Sequence, residues 1–176
     1  MFRAPSGVLL LVVVTAAAGP SVPIRPTPLV AGTAAAVVYP LPYRARDVQT
    51  SWDLEVTLLN LINNERLAQG LAPLMPHATI RSVARAHGRE MFAWGYLSHV
   101  SRSGLSPQQR VWRRGVRVRM VGENLAYAGD IREAHEALMA SETHRQNILL
   151  PSYQLIGIGV VVGGPYGVIV VQNFGN

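Results

Sequence analysis

The chain has 176 residues, which suits one domain plus an appendage, and 49% of them are apolar, enough for a core. There is no cysteine, so disulfides and thiolate metal sites are excluded and the fold must be held by its core alone. The formal net charge is +6, and all 16 basic residues are arginine, the bias that GC-rich coding produces.

The N-terminus reads as a secretory signal. Arg3 is the charged start, and Val8 to Ala18 is an apolar run too short for an ordinary membrane span. Ala16, Ala17 and Ala18 supply small residues before a cleavage site, so residues 1–18 are expected to be removed after Ala18. Residues 19–50 read as a proline-rich linker, because prolines at 20, 23, 26 and 28 forbid a continuous helix. The run Ala34 to Val38 is the one part of it with strand character. The domain proper is expected over 51–176.

A first helix is predicted from Trp52 to Gln69, with Leu54, Leu58, Leu61 and Ile62 at helical spacing, Ser51 as cap and Gly70 as stop. Asn63 to Arg66 reads as a structural polar turn. A second helix is predicted over Ile80 to Trp94. His87 shares its apolar face and reads as a hydrogen-bonded core residue, whereas His77 is expected in a water-facing loop. His99 follows four residues after the stop at Gly95, in a loop held by Tyr96 and Leu97.

Ser106, Pro107 and Gln109 form the pattern of a capped helix start. From Arg102 to Arg119 there are six arginines and no acid. Val116, Val118 and Met120 alternate with Arg117 and Arg119, which predicts a strand with one arginine-lined face. Arg110, Arg113, Arg114, Arg117 and Arg119 therefore make a candidate surface for anionic envelope material; no nucleic-acid partner is expected. Glu123 follows in an apolar neighbourhood and needs a partner if buried. Asp130 caps a helix whose core face carries Ile131, Ala134, Leu138 and Ser141, leaving His135 exposed. His144 is expected just past the last turn, and Arg145 is expected to bind a carboxylate or a helix-end carbonyl. Leu155 to Val162 and Val168 to Phe174 predict two closing strands around a Gly163-Gly164-Pro165 turn. Helices first and a hairpin last suit an α+β domain.

His99, Glu123 and His144 stand 24 and 21 residues apart, and two imidazoles with a carboxylate are ligand types that suit zinc with a position left for water. Their surroundings are Gly95-Tyr96-Leu97-Ser98-His99, Gly122-Glu123-Asn124-Leu125-Ala126, Ser141-Glu142-Thr143-His144-Arg145-Gln146-Asn147-Ile148-Leu149 and, at the end, Val171-Gln172-Asn173-Phe174-Gly175. These four blocks, in this order, resemble the signature blocks of the CAP superfamily, which groups cysteine-rich secretory proteins, antigen 5 and pathogenesis-related proteins. The nearest likeness is to its cysteine-free bacterial type, the SCP-like extracellular proteins, over about residues 53–176. The resemblance implies a three-layer α-β-α sandwich with a central antiparallel sheet.

It also implies a groove at the blocks, lined by His99, Glu123, Ser141 and His144, that holds a small lipid, a peptide or a wall fragment. His99 and His144 are the metal ligands it implies, with zinc as the ion. One departure stands out: many animal and plant members carry a second glutamate where this chain has Ser141, and often tryptophan where it has Leu138. The site is then thinner than a zinc enzyme requires. A secreted binding module is the expected function; the alternative is a zinc-dependent hydrolase of peptide or wall material with Glu123 as general base. Serine chemistry at Ser98 or Ser141 has no G-x-S-x-G motif behind it.

Overall fold

A computed structural model of the chain describes residues 9–16 and 37–176. Helix α1 (Trp52–Ala68) opens where the Ser51 hydroxyl accepts the Leu54 amide. Helix α2 (Ala78–Trp94) opens on His77, whose Nδ1 accepts the Ile80 amide at 3.4 Å. His77 is thus a cap rather than a free loop residue. Gly95 closes α2 in the left-handed region at φ 68°, where a side chain would be strained. Helix α3 (Pro107–Arg113) starts on the full Ser106–Gln109 capping box, and α4 (Ile131–Ala140) on Asp130, whose carboxylate accepts two amides. The chain breaks only at Ser141 before a further helix, α5 (Glu142–Ile148), so His144 lies inside a helix. Arg145 donates to the Met139 carbonyl at the end of α4, as expected.

Eight strands are described: β1 (Leu9–Ala16), β2 (Tyr39–Pro40), β3 (Gln49–Thr50), β4 (Met75–Pro76), β5 (Tyr96–Leu97), β6 (Met120–Ala128), β7 (Leu155–Val162) and β8 (Val168–Gly175). The main sheet runs β1-β6-β8-β7-β3, all antiparallel, with β4 joining β7 in parallel. A second small sheet pairs β2 with β5.

Two apolar layers sandwich the sheet. Leu58 and Ile62 of α1, Leu138 of α4 and Ile148 of α5 pack with Ala126, Val160, Val170 and Phe174. Ala84, Met91 and Phe92 of α2 pack with Leu125, Tyr127, Val161 and Val171 on the other face. Val111 of α3 joins that side through Ile80, Val83 and Val121. This is the expected α-β-α sandwich. Because both faces are covered, β6 and β8 are buried along almost their whole length instead of alternating with polar residues. The two glycines of β7 set the layer distance. A Cβ on Gly157 would stand 2.2 Å from the Arg81 amide nitrogen, and one on Gly159 2.6 Å from the Ala84 carbonyl carbon. Backbone therefore meets backbone where α2 crosses β7.

Three expectations change. The strand predicted from Val116 is loop until Met120; the Trp112 indole N–H donates to the Val118 carbonyl there, and Val118 packs in the core. His135, expected to be exposed, is buried, because α4 turns it toward α1, where its Nε2 lies 3.7 Å from Glu65. Residues 39–50 of the predicted linker run along the domain. Leu41 is buried in the α2-side core, its amide donates to the Gly95 carbonyl, and the Ala45 amide donates to the Phe92 carbonyl. Residues 19–36 of that linker lie outside the described residues. So do positions 1–8, 17 and 18 of the predicted signal segment. Its residues 9–16 are β1, paired from Leu9 opposite Tyr127 to Ala16 opposite Met120.

Candidate functional site

Strand β6 carries the site. Val121, Leu125 and Tyr127 pack in the α2-side cores, while Ala126 and Ala128 pack in the α1-side core. Alternation then sends Glu123 to the α2–α3 side and Asn124 to the α1–α4–α5 side. The predicted site residues divide accordingly.

On the α2–α3 side, Glu123 is fully buried, with His99 and Arg110 beside it. His99 Nδ1 stands 2.8 Å from Glu123 Oε1, and Arg110 Nη2 donates to Glu123 Oε2. Arg110 Nη1 also donates to the His99 carbonyl at 2.6 Å and the Leu105 carbonyl at 3.0 Å. One guanidinium thus fixes both the backbone of His99 and the carboxylate its ring binds. Burial alone would raise the Glu123 carboxyl, but the Arg110 charge and the His99 hydrogen bond bring it down to about 2. With Nδ1 engaged on the carboxylate, His99 keeps its other nitrogen; Nε2 is buried and has no hydrogen-bond partner among the described residues. His87 lies nearby in the core and its Nε2–H donates to the Ser98 carbonyl at 2.8 Å, the structural role expected of it.

On the other side, the N-terminal turn of α5 presents His144, whose Nδ1 is 2.7 Å from the Ser141 hydroxyl. The His144 backbone carbonyl accepts from Asn124 Nδ2 at 3.1 Å. Asn124 Nδ2 also donates to Gln172 Oε1, and Asn147 Nδ2 donates to Asn124 Oδ1 at 2.9 Å. Three of the four sequence blocks meet in this buried amide cluster. Arg66 of α1 completes the support. Its guanidinium donates to the carbonyls of Ala72, Ile148, Leu150 and Tyr153, which pins the end of α5.

The structure therefore ties His99 directly to Glu123, and Ser141 directly to His144. The two pairs meet through adjacent residues of β6. Arg110 is corrected: it is buried and not part of the exposed basic surface, because Glu123 needs its charge. Arg113, Arg114, Arg117 and Arg119 are exposed as expected. The signal for Arg110 lay in helical spacing, since Pro107, Arg110 and Val111 share the buried face of α3.

Zinc sites with an open position take three protein ligands. Both Glu123 oxygens are engaged by Arg110 and His99, which leaves two imidazoles. Among the described residues no group of three or more His, Cys, Asp or Glu side chains is placed to hold an ion. The donor set falls short of a resident catalytic zinc.

Comparison with known proteins agrees with the fold. The profile of the cysteine-rich secretory protein family, CAP, matches residues 59–174. An uncharacterized protein of Bacillus subtilis (strain 168), YkwD, is 37% identical over 111 residues, covering 62% of this chain and 43% of that protein. The crystal structure of an extracellular protein containing a SCP domain from Bacillus anthracis superposes with a TM-score of 0.65 at 28% identity, covering 70% of this chain and 40% of that one. An outer surface protein of Borrelia burgdorferi superposes at 0.68 with 19% identity, covering 73% and 97%, a likeness of fold alone. The matched stretch spans less than half of both Bacillus proteins. With all four blocks meeting around β6 and the family profile covering residues 59–174, the chain belongs to the CAP family, in its bacterial, SCP-domain form.

Proposed function

We propose that this CAP domain is an extracytoplasmic binding module of the cell envelope. Its groove follows β6, which carries the His99–Glu123–Arg110 group on one face and the Ser141–His144 group on the other, and its ligand is a small lipid, a peptide or a wall fragment. The exposed Arg113, Arg114, Arg117 and Arg119 hold the domain to anionic envelope material. The predicted signal segment and the extracellular SCP-domain protein of Bacillus anthracis among its structural relatives support the location.

One observation favours binding over hydrolysis. A general base works best with a pKa near the working pH. Glu123 is held at about 2 by groups that already take both of its oxygens, so it is a poor proton acceptor at neutral pH. The same clamp makes it a good anchor, because it holds His99 in one orientation for a ligand.

The test is co-sedimentation with purified cell-wall sacculi, followed by assay of the supernatant for released wall fragments. Salt-sensitive pelleting without release, unchanged by a chelator, is the expected result. Release of soluble fragments that a chelator abolishes would establish the hydrolase instead.

A further inference from the structure

A second concavity lies beside Arg110. A cavity of about 410 Å³ opens between α2, the 101–105 loop and α3. Arg110, Arg113 and Arg114 line it, with the hydroxyls of Ser101 and Ser103 and the ring of His87. Against three guanidinium groups stands one carboxylate, Glu90, and that one is engaged: Oε1 accepts the Arg102 amide at 2.9 Å and Oε2 lies 3.5 Å from His87 Nδ1. Neither Arg113 nor Arg114 is in an ion pair among the described residues.

Arg110 supplies the most specific sign. It is more than nine-tenths buried, and its two terminal nitrogens are bonded to Glu123, His99 and Leu105. Its Nε–H has no acceptor among the described residues. A buried guanidinium with its Nε–H unmet, in a lining with excess positive charge, calls for an oxyanion.

We propose that this cavity is a binding site for a phosphate group, and that its occupation is felt at His99 through Arg110. Phosphate fits for three reasons. Its tetrahedral oxygens match several arginine donors at once, which a single carboxylate does not. The Ser101 and Ser103 hydroxyls, 3.0 Å apart and sharing one hydrogen bond, leave one neutral donor beside the charges. The volume admits the polar body that carries the phosphate, such as a glycerol unit, as well as the phosphate itself. The coupling follows from connectivity. One guanidinium bonds Glu123 and the His99 carbonyl and also lines the cavity, so an anion there competes for the charge that clamps the site. The inference can fail separately from the groove reading, since the cavity shares only Arg110 with the groove.

Inorganic phosphate titrated into the protein at constant ionic strength, with chloride as balance, tests this by NMR. Saturable shifts are expected at the Arg113 and Arg114 amides, at Arg110 Nε–H and at the His99 ring. Arg113→Ser with Arg114→Ser, both at exposed positions, should weaken binding at least about tenfold, or about 1.4 kcal/mol. Ser82→Glu, exposed at the rim, should abolish it by adding a carboxylate. A short-chain phosphatidic acid binding more tightly than inorganic phosphate would identify a lipid headgroup as the source; equal affinity would identify free phosphate. Shifts that never saturate, or a double variant that binds like its parent, would mean an adventitious ion only and overturn the site. Saturation without movement of the His99 ring would overturn the coupling.

Discussion

Glu123 shows how much one buried charge decides. Its carboxyl is held at about 2 in the fold against an ordinary 4.5. A depressed carboxyl contributes stability that is fully present above 4.5 and is lost as pH falls from there toward 2. The shift corresponds to roughly 3 kcal/mol. Glu123→Gln should therefore flatten the acid limb of a stability–pH profile between about pH 4.5 and 2. It should also cost about 3–5 kcal/mol at neutral pH, because Arg110 is left buried without its counter-charge. Urea unfolding of both proteins across that range measures both effects; parallel profiles would show that Glu123 is not clamped. Arg66 invites a similar experiment. It ties four carbonyls that hold α5 against α1. Arg66→Met should cost about 2–5 kcal/mol in urea unfolding, since these carbonyls lose their donor inside the fold. A loss under 1 kcal/mol would show that α5 is held without it.

At the scale of the elements, helix periodicity and capping residues made α1, α2, α3 and α4 legible, and the Ile/Val-rich tail made β7 and β8 legible. These signals are local. The misreadings came where a contact distant in sequence decided. The arginine–valine alternation before Met120 imitates a strand, but the Trp112 indole and the core hold that stretch as loop. Arg110 reads as one more surface arginine until Glu123, thirteen residues on, is seen to need it. Of the candidate site, the block residues His99, Glu123, Ser141 and His144 were legible. Their division between two faces of β6 was not, because it depends on which layer each helix joins. The spaced glycines of β7 carry a further prediction. Gly159→Val should destabilise by about 3 kcal/mol or more, since its Cβ would meet α2 backbone that cannot rotate away. Thermal unfolding checks it, and a change near zero would mean that α2 rides further from the sheet. Strand β1 makes another. Removing residues 1–18 should leave the outer edge of β6 without its partner strand, so amides of Met120–Ala128 that pointed at β1 should exchange faster with solvent. Unchanged exchange would show that β1 does not protect that edge.

The whole molecule carries a net charge of +6, with exposed arginines from the end of α3 to Arg119 beside a clamped polar site. Attachment through exposed arginines should weaken as salt rises, since charges are screened over about 10 Å at 0.1 M. Changing Arg113, Arg114, Arg117 and Arg119 to Ser should reduce pelleting with anionic vesicles several-fold at low salt and leave the fold intact. Undiminished pelleting would make those arginines a solvated face. The central claim is that Glu123 anchors His99 for binding and does not serve as a base. Carbon-13 NMR of the Glu123 carboxyl between pH 3 and 7 tests it most directly. A carboxylate shift that stays constant down to about pH 3 is the predicted result, and a titration with its midpoint at 5 or above would contradict it.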